Sequence, residues 1–210
     1  MKKMLIVTGP QGSGNHVFSK ILALHKSVYG WKELLNEYWI AHDYEPFNVH
    51  WDNPDLLIHT DWGSHDYWVT SISCPYAHKG VATTPKYKTF INKLITLDIE
   101  VQLAIIGRDQ TVLKYQQERV RDRHSYPIFE KEMDYLMTLN PVFLSTELLY
   151  LYKDNYLKSL SNQLNFPIAY DDERVFEILK QDANEKYFTS IEPTDLDKIV
   201  RKVSGLEEKQ

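Results

Sequence analysis

Apolar residues in this chain fall into two kinds of run. Met4-Leu5-Ile6-Val7 and the stretch from Glu100 to Gly107 are near-continuous, the pattern of strands covered on both faces of a parallel sheet. Tyr67 to Ser73 reads as a third strand, stopped at Cys74-Pro75, and Pro141 to Thr146 as a fourth. Between them the apolar positions recur at helical spacing. Val17, Phe18, Ile21, Leu22 and Leu24 form one face, and Tyr87, Phe90, Ile91, Leu94 and Ile95 another, opened by Thr84-Pro85 as N-cap and first-turn proline. Val112, Leu113, Gln116 and Val120 follow, then an amphipathic segment near Ile128 to Met137 and a face of Leu149, Tyr152, Tyr156, Leu160 and Leu164. Two helical segments, near Glu173–Lys180 and Thr194–Val203, close the chain.

Strands alternating with helices predict an α/β fold: a three-layer sandwich with a mainly parallel central sheet, its crossovers right-handed. A single domain over residues 1–210 is expected, with an aromatic-rich excursion at about 29–68. That excursion holds all five tryptophans, Trp31, Trp39, Trp51, Trp62 and Trp68. They fit either a satellite core under a long insertion or a lid facing a substrate. His42, His50, His59 and His65 lie in the same stretch without the tight pairing of a zinc site, so no metal is expected.

Composition narrows the classes. A net charge of −5 and a pI near 5.9 argue against a nucleic-acid partner, which calls for a basic face. The single cysteine, Cys74, permits no internal disulfide and fits a reducing compartment. The apolar run behind Met1-Lys2-Lys3 breaks at Gly9-Pro10, too early for a signal peptide, and no stretch approaches the roughly 20 apolar residues that cross a bilayer. The expectation is a cytoplasmic protein with no membrane partner; its oligomeric state is left open.

The chemistry concentrates at the first turn. Met4–Val7 runs into Gly9-Pro10-Gln11-Gly12-Ser13-Gly14 and then a helix, so the strand, glycine turn and helix start are P-loop-like. Glycines let successive N–H groups curl inward, where the unsatisfied donors of the helix start face the same hollow. The spacing from Gly9 to Gly14 is that of a nucleoside-triphosphate loop, but Asn15 stands in the place of its lysine and His16 in that of its serine or threonine. Mg·ATP phosphoryl transfer therefore lacks its two main side chains, and a ligand that needs no metal fits better. Arg108 ends the Glu100–Gly107 strand, on the carboxyl edge where such sheets bind ligands. It reads either as a ligand contact or as a partner for a nearby acid such as Asp109.

With these residues in place, the chain resembles the sulfotransferases that use 3′-phosphoadenosine 5′-phosphosulfate. Their turn commonly reads G-P-x-R-S-G-T-T, with a following helix that ends L-x-x-H-P-x-V; Gly9, Pro10, Ser13, Gly14, Leu22, Leu24, His25 and Val28 match. Their second landmark, a strand ending R-D-P and a serine eight residues beyond the arginine, is matched by Ile105-Ile106-Gly107-Arg108-Asp109. The sequence departs at Gly12, where the family carries a basic residue, and at Asn15 and His16, where it carries threonines. It departs again at Gln110 for the proline and at Gln116 for the serine. The lysine and histidine of cytosolic members would fall near Ser71 and Ser73.

The resemblance implies a donor site made by Gly12, Ser13, Gly14, Asn15 and His16 for the 5′-phosphate and by Arg108 and Gln116 for the 3′-phosphate. It implies Glu33 as the base, with Glu37 as a fallback, and His16 at the reacting group. The co-substrate would be 3′-phosphoadenosine 5′-phosphosulfate, with no metal, and the acceptor a hydroxyl or amine of a small molecule or carbohydrate. Two other readings stay open: a small-molecule kinase with a degenerate loop, and a nucleotide-binding protein of this fold without turnover.

Overall fold

In the computed structural model, which describes residues 2–78, 81–121 and 124–181, the near-continuous apolar runs are the middle of one parallel sheet. In chain order the strands are β1 (Lys3–Pro10), β2 (Val28–Tyr29), β3 (Tyr67–Cys74), a hairpin of β4 (Tyr76–His78) and β5 (Val81–Thr83), β6 (Glu100–Gly107) and β7 (Val142–Ser145). Five of them form the sheet in the order β2-β3-β1-β6-β7, and every pairing is parallel. The helices are α1 (Asn15–Ala23), α2 (Asn48–Asp52), α3 (Tyr87–Thr96), α4 (Gln110–Arg121), α5 (Tyr126–Glu130), α6 (Met133–Met137), α7 (Thr146–Leu164) and α8 (Glu173–Lys180).

The pleat sorts the core into two layers. Leu5 and Val7 of β1 join Val69, Ala104 and Ile106 against α1, α7 and α8. Met4 and Ile6 join Ile72, Leu103 and Ile105 against α3, α5 and α6, with Phe47, Trp51, Leu57 and Trp62 of the excursion on the same side. Helices on both faces of a parallel sheet make this a three-layer α/β sandwich. The helix leaving β1 packs on one face and the helix leaving β3 on the other, although β1 and β3 are neighbours. The strand order thus reverses between them, and a crevice opens at their carboxyl ends.

Several elements differ from the expectation. Thr84 and Pro85 lie ahead of α3, which is capped by Lys86 and begins at Tyr87, whose N–H turns back to Pro85 O at 2.9 Å. The segment near Ile128–Met137 is two short helices rather than one. Tyr152 is 55% exposed, and next to it Lys153 interrupts α7 at φ 46°, ψ −118°; Tyr156 beyond the break is part-buried, and its hydroxyl accepts from Ser145 N–H at 2.7 Å. The sheet and its helices belong to the first of two compact units, Met1–Leu179. Nearly all of the second, Lys180–Gln210, lies outside the described residues, as does the helix expected near Thr194–Val203. No described helix is long and apolar enough to cross a membrane.

Candidate functional site

The turn from Gly9 to Gly14 leaves the end of β1 at the crevice, and its carbonyls are fastened one by one. Pro10 O accepts from Ser13 N–H at 3.1 Å and Gly14 O from Phe18 N–H at 3.2 Å. Gln11 O accepts from Gln117 Nε2 at 2.7 Å, Gly12 O from Arg108 Nη1 at 2.6 Å, and Ser13 O from Thr146 Oγ1 at 2.5 Å. Because a trans peptide directs its C=O and N–H oppositely, fastened carbonyls turn the N–H groups of Gly12 and Gly14 away from these partners. The N–H groups of Gly12, Gly14 and Asn15 hydrogen-bond none of the described residues. Gly12 at φ 88° and Gly14 at φ 115° supply the left-handed backbone this turn requires. Ser13, Gly14 and Asn15 lead straight into α1, whose first N–H groups add their partial positive charge.

Three elements brace the turn. Arg108, at the end of β6, donates through Nη1 both to Gly12 O and to Gln116 Oε1, the latter at 2.7 Å. This orients the Gln116 amide with its oxygen toward the guanidinium and its Nε2 donors the other way. Gln117, fully buried, spans from Gln11 O to the N–H groups of Ser125 and Tyr126, which its Oε1 accepts at 2.9 and 3.2 Å. Thr146 opens α7 behind Ser145, the N-cap whose hydroxyl accepts from Leu148 N–H. The sequence placed Thr146 at the carboxyl end of a strand and so on this edge; no spacing or motif pointed to Gln117.

On the β3 side, Asn15 donates from Nδ2 to Ser73 Oγ at 2.7 Å, joining the helix start to the strand across the switch point. Ser13 Oγ, Asn15 Oδ1 and Ser71 Oγ are shut off from solvent and hydrogen-bond none of the described residues. Buried polar atoms without partners are rare in proteins and concentrate where a ligand or bound water completes them.

His16, one residue into α1, meets Ile40 O through Nε2 at 2.8 Å, and one turn on Lys20 donates to Glu37 O at 2.6 Å. Together they strap the segment from Glu37 to Ile40 along the helix. Trp39 lies nearly parallel to His16, with ring centroids 5.9 Å apart, and is 58% exposed. The other four tryptophans are buried, so Trp39 is the exposed tryptophan of the excursion, with Tyr38 and Tyr44 exposed near it in sequence. His42 packs edge-on to His16 at 4.8 Å; burial, then the nearby His16, pushes its imidazole down to about 3. The buried Nε1 of Trp31 and Nε2 of His42 also hydrogen-bond none of the described residues.

Glu33 is exposed on a 3₁₀ turn, Glu33–Asn36, that packs on α1, and its charge reaches Tyr29. Glu37 is exposed and takes part through its backbone carbonyl. Sequence reasoning passed over Glu45, which is 5% exposed. It accepts from Phe47 N–H at 2.8 Å and Ser71 N–H at 3.3 Å, along the edge of β3 that β2 leaves uncovered. Burial pushes its carboxyl up to about 8 against the pull of these hydrogen bonds, so it is protonated at neutral pH. The described residues contain no cluster of His, Cys, Asp and Glu able to hold a metal ion. Burial pushes the Cys74 thiol up to about 12, which leaves it inert. No protein-family model matches the chain, and no curated protein matches it.

Proposed function

We propose that the turn from Gly12 to His16 binds a phosphate of a nucleotide donor, and that the protein transfers a sulfuryl group from 3′-phosphoadenosine 5′-phosphosulfate to a hydroxyl or amine. One observation carries this: the carbonyls of the turn are tied outward by Arg108, Gln117 and Thr146, while the N–H groups of Gly12, Gly14 and Asn15 have no described partner. Preset N–H donors at a helix start stabilise a leaving phosphate as charge builds on it, without reorganising during the reaction. The acceptor oxygen or nitrogen attacks sulfur in line, the S–O bond to the 5′-phosphate breaks, and the acceptor proton passes to a base.

Arg108 and Gln116 have a shared part in this scheme. The guanidinium fixes the turn and the Gln116 amide together, leaving Nε2 as a donor for a second phosphate. His16 sits where the turn meets the strap and contacts the reacting end, with Trp39 as an apolar surface for the acceptor. Glu33 remains the assigned proton acceptor, and Glu33→Gln is expected to abolish transfer while donor binding persists.

Calorimetric titration with adenosine 3′,5′-bisphosphate, alongside ATP with and without Mg²⁺, tests the assignment without knowledge of the acceptor. Metal-independent binding of the bisphosphate, weakened at least about tenfold by Arg108→Ala, is expected from the loss of charge-assisted hydrogen bonds. Preference for Mg·ATP would replace this reading with a kinase, and absence of both would leave the turn without a nucleotide.

A further inference from the structure

Apart from the turn, the excursion folds around an open cleft of about 430 Å³. Its apolar wall is made by Tyr29, Phe47 and Leu56, with the rings of Tyr29 and Phe47 edge to face at 6.0 Å. Its polar wall is His50, His59, Thr60 and Asp61. No lysine or arginine lines it. Burial, then the nearby carboxyls of Glu33 and Glu45, holds the Tyr29 phenol above its ordinary value. Asp61 is the one acid among the residues that line the cleft.

His50 adds a polar group with unfinished bonding. Its ring packs on Phe47 at 5.4 Å, and burial lowers its pKa, which keeps the imidazole neutral. Its Nε2 lies 3.5 Å from Thr60 Oγ1, at the limit of a hydrogen bond, and its Nδ1 hydrogen-bonds none of the described residues. Asp61 uses Oδ1 to accept from Gly63 N–H at 3.0 Å, while its side chain is exposed at the cleft.

We infer that this cleft binds a small organic amine in its ammonium form, with the apolar part against Tyr29, Phe47 and Leu56 and the cation toward Asp61. An aromatic wall favours a cation over its face, a carboxylate with no lysine or arginine beside it in the lining favours the same sign, and an anion finds neither of those cations there. The volume lies within the range of small-molecule sites. The inference is independent of the donor reading, since it uses no residue of the turn.

NMR titration at about neutral pH, followed on the imidazole Hε1 resonances of His50 and of His59, which also lines the cleft, reads the binding directly. The probes are tyramine, a cation, and 4-hydroxyphenylacetate, which carries a similar ring with a carboxylate. Tyramine is expected to shift both resonances saturably and the carboxylate to leave them in place. Asp61→Asn keeps the cap on Gly63 and is expected to weaken tyramine about fivefold. Leu56→Arg, at a residue 37% exposed, is expected to abolish the shifts with the fold intact. Equal binding of the two probes, or no shift with tyramine, overturns the inference; should Leu56→Arg fail to fold, the probe pair and Asp61→Asn still decide it.

Discussion

Gly14 holds φ 115° at the head of α1, and a methyl group there would lie 2.8 Å from Thr146 Oγ1. Gly14→Ala therefore meets both backbone strain and a steric clash, and is expected to cost about 1–3 kcal/mol in urea unfolding. Thr146→Val tests the same junction from the other side. It keeps the shape but removes the donor to Ser13 O, leaving a buried carbonyl unpaired at about 1–3 kcal/mol, whereas Thr146→Ser retains the donor and most of the stability. If both substitutions at Thr146 unfold at the wild-type midpoint, the bond does not hold the turn.

At the scale of the element, the excursion separates into core and rim. Trp51 is fully buried and stacked on Phe90 with centroids 3.8 Å apart, so Trp51→Ala is expected to cost about 3–5 kcal/mol. Trp39→Ala is expected to change stability by less than about 0.5 kcal/mol, because its ring is largely in solvent. Equal losses in unfolding midpoint would contradict the division. The sheet strands with continuous apolar runs were legible in the sequence, as was α1, since their periods follow directly from which faces are covered; α4 forms where it was read, but of its expected face Leu113 is buried while Val112 is 46% exposed. The two-residue β2 and the β4–β5 hairpin are too short for a period to form. The turn itself was legible from glycine spacing, and Arg108 from its place at a strand end. Glu45 was not: its burial arises where β2 stops and leaves Ser71 N–H in need of an acceptor, a consequence of tertiary pairing alone.

For the whole molecule, Glu45 and His42 shape stability against pH in opposite senses. Glu45 has a folded pKa raised from 4.5 to about 8, so between those values the native state holds a proton that the unfolded chain has lost, and stability falls as pH rises. His42 has a folded pKa lowered from 6.5 to about 3, so across that window the unfolded chain holds the extra proton, and stability falls as pH drops. The two contributions cancel between about pH 4.5 and 6.5. Outside that overlap each gives a slope approaching about 1.4 kcal/mol per pH unit, with loss above 6.5 from Glu45 and below 4.5 from His42. Urea unfolding over pH 3–9 is expected to show this plateau, and Glu45→Gln to remove the decline on its alkaline side. An unchanged alkaline limb in Glu45→Gln would mean that Glu45 ionises in the folded protein as it does in the unfolded chain.

The anion-binding turn is tested most directly by its own amides. In a ¹⁵N-labelled sample titrated with adenosine 3′,5′-bisphosphate, the N–H resonances of Gly12, Gly14 and Asn15 are expected to move downfield together and saturate at one ligand concentration, as three donors closing on one phosphate. If those three stay in place while the nucleotide binds elsewhere, or if it does not bind, the turn is a structural corner of the sheet and the donor assignment fails.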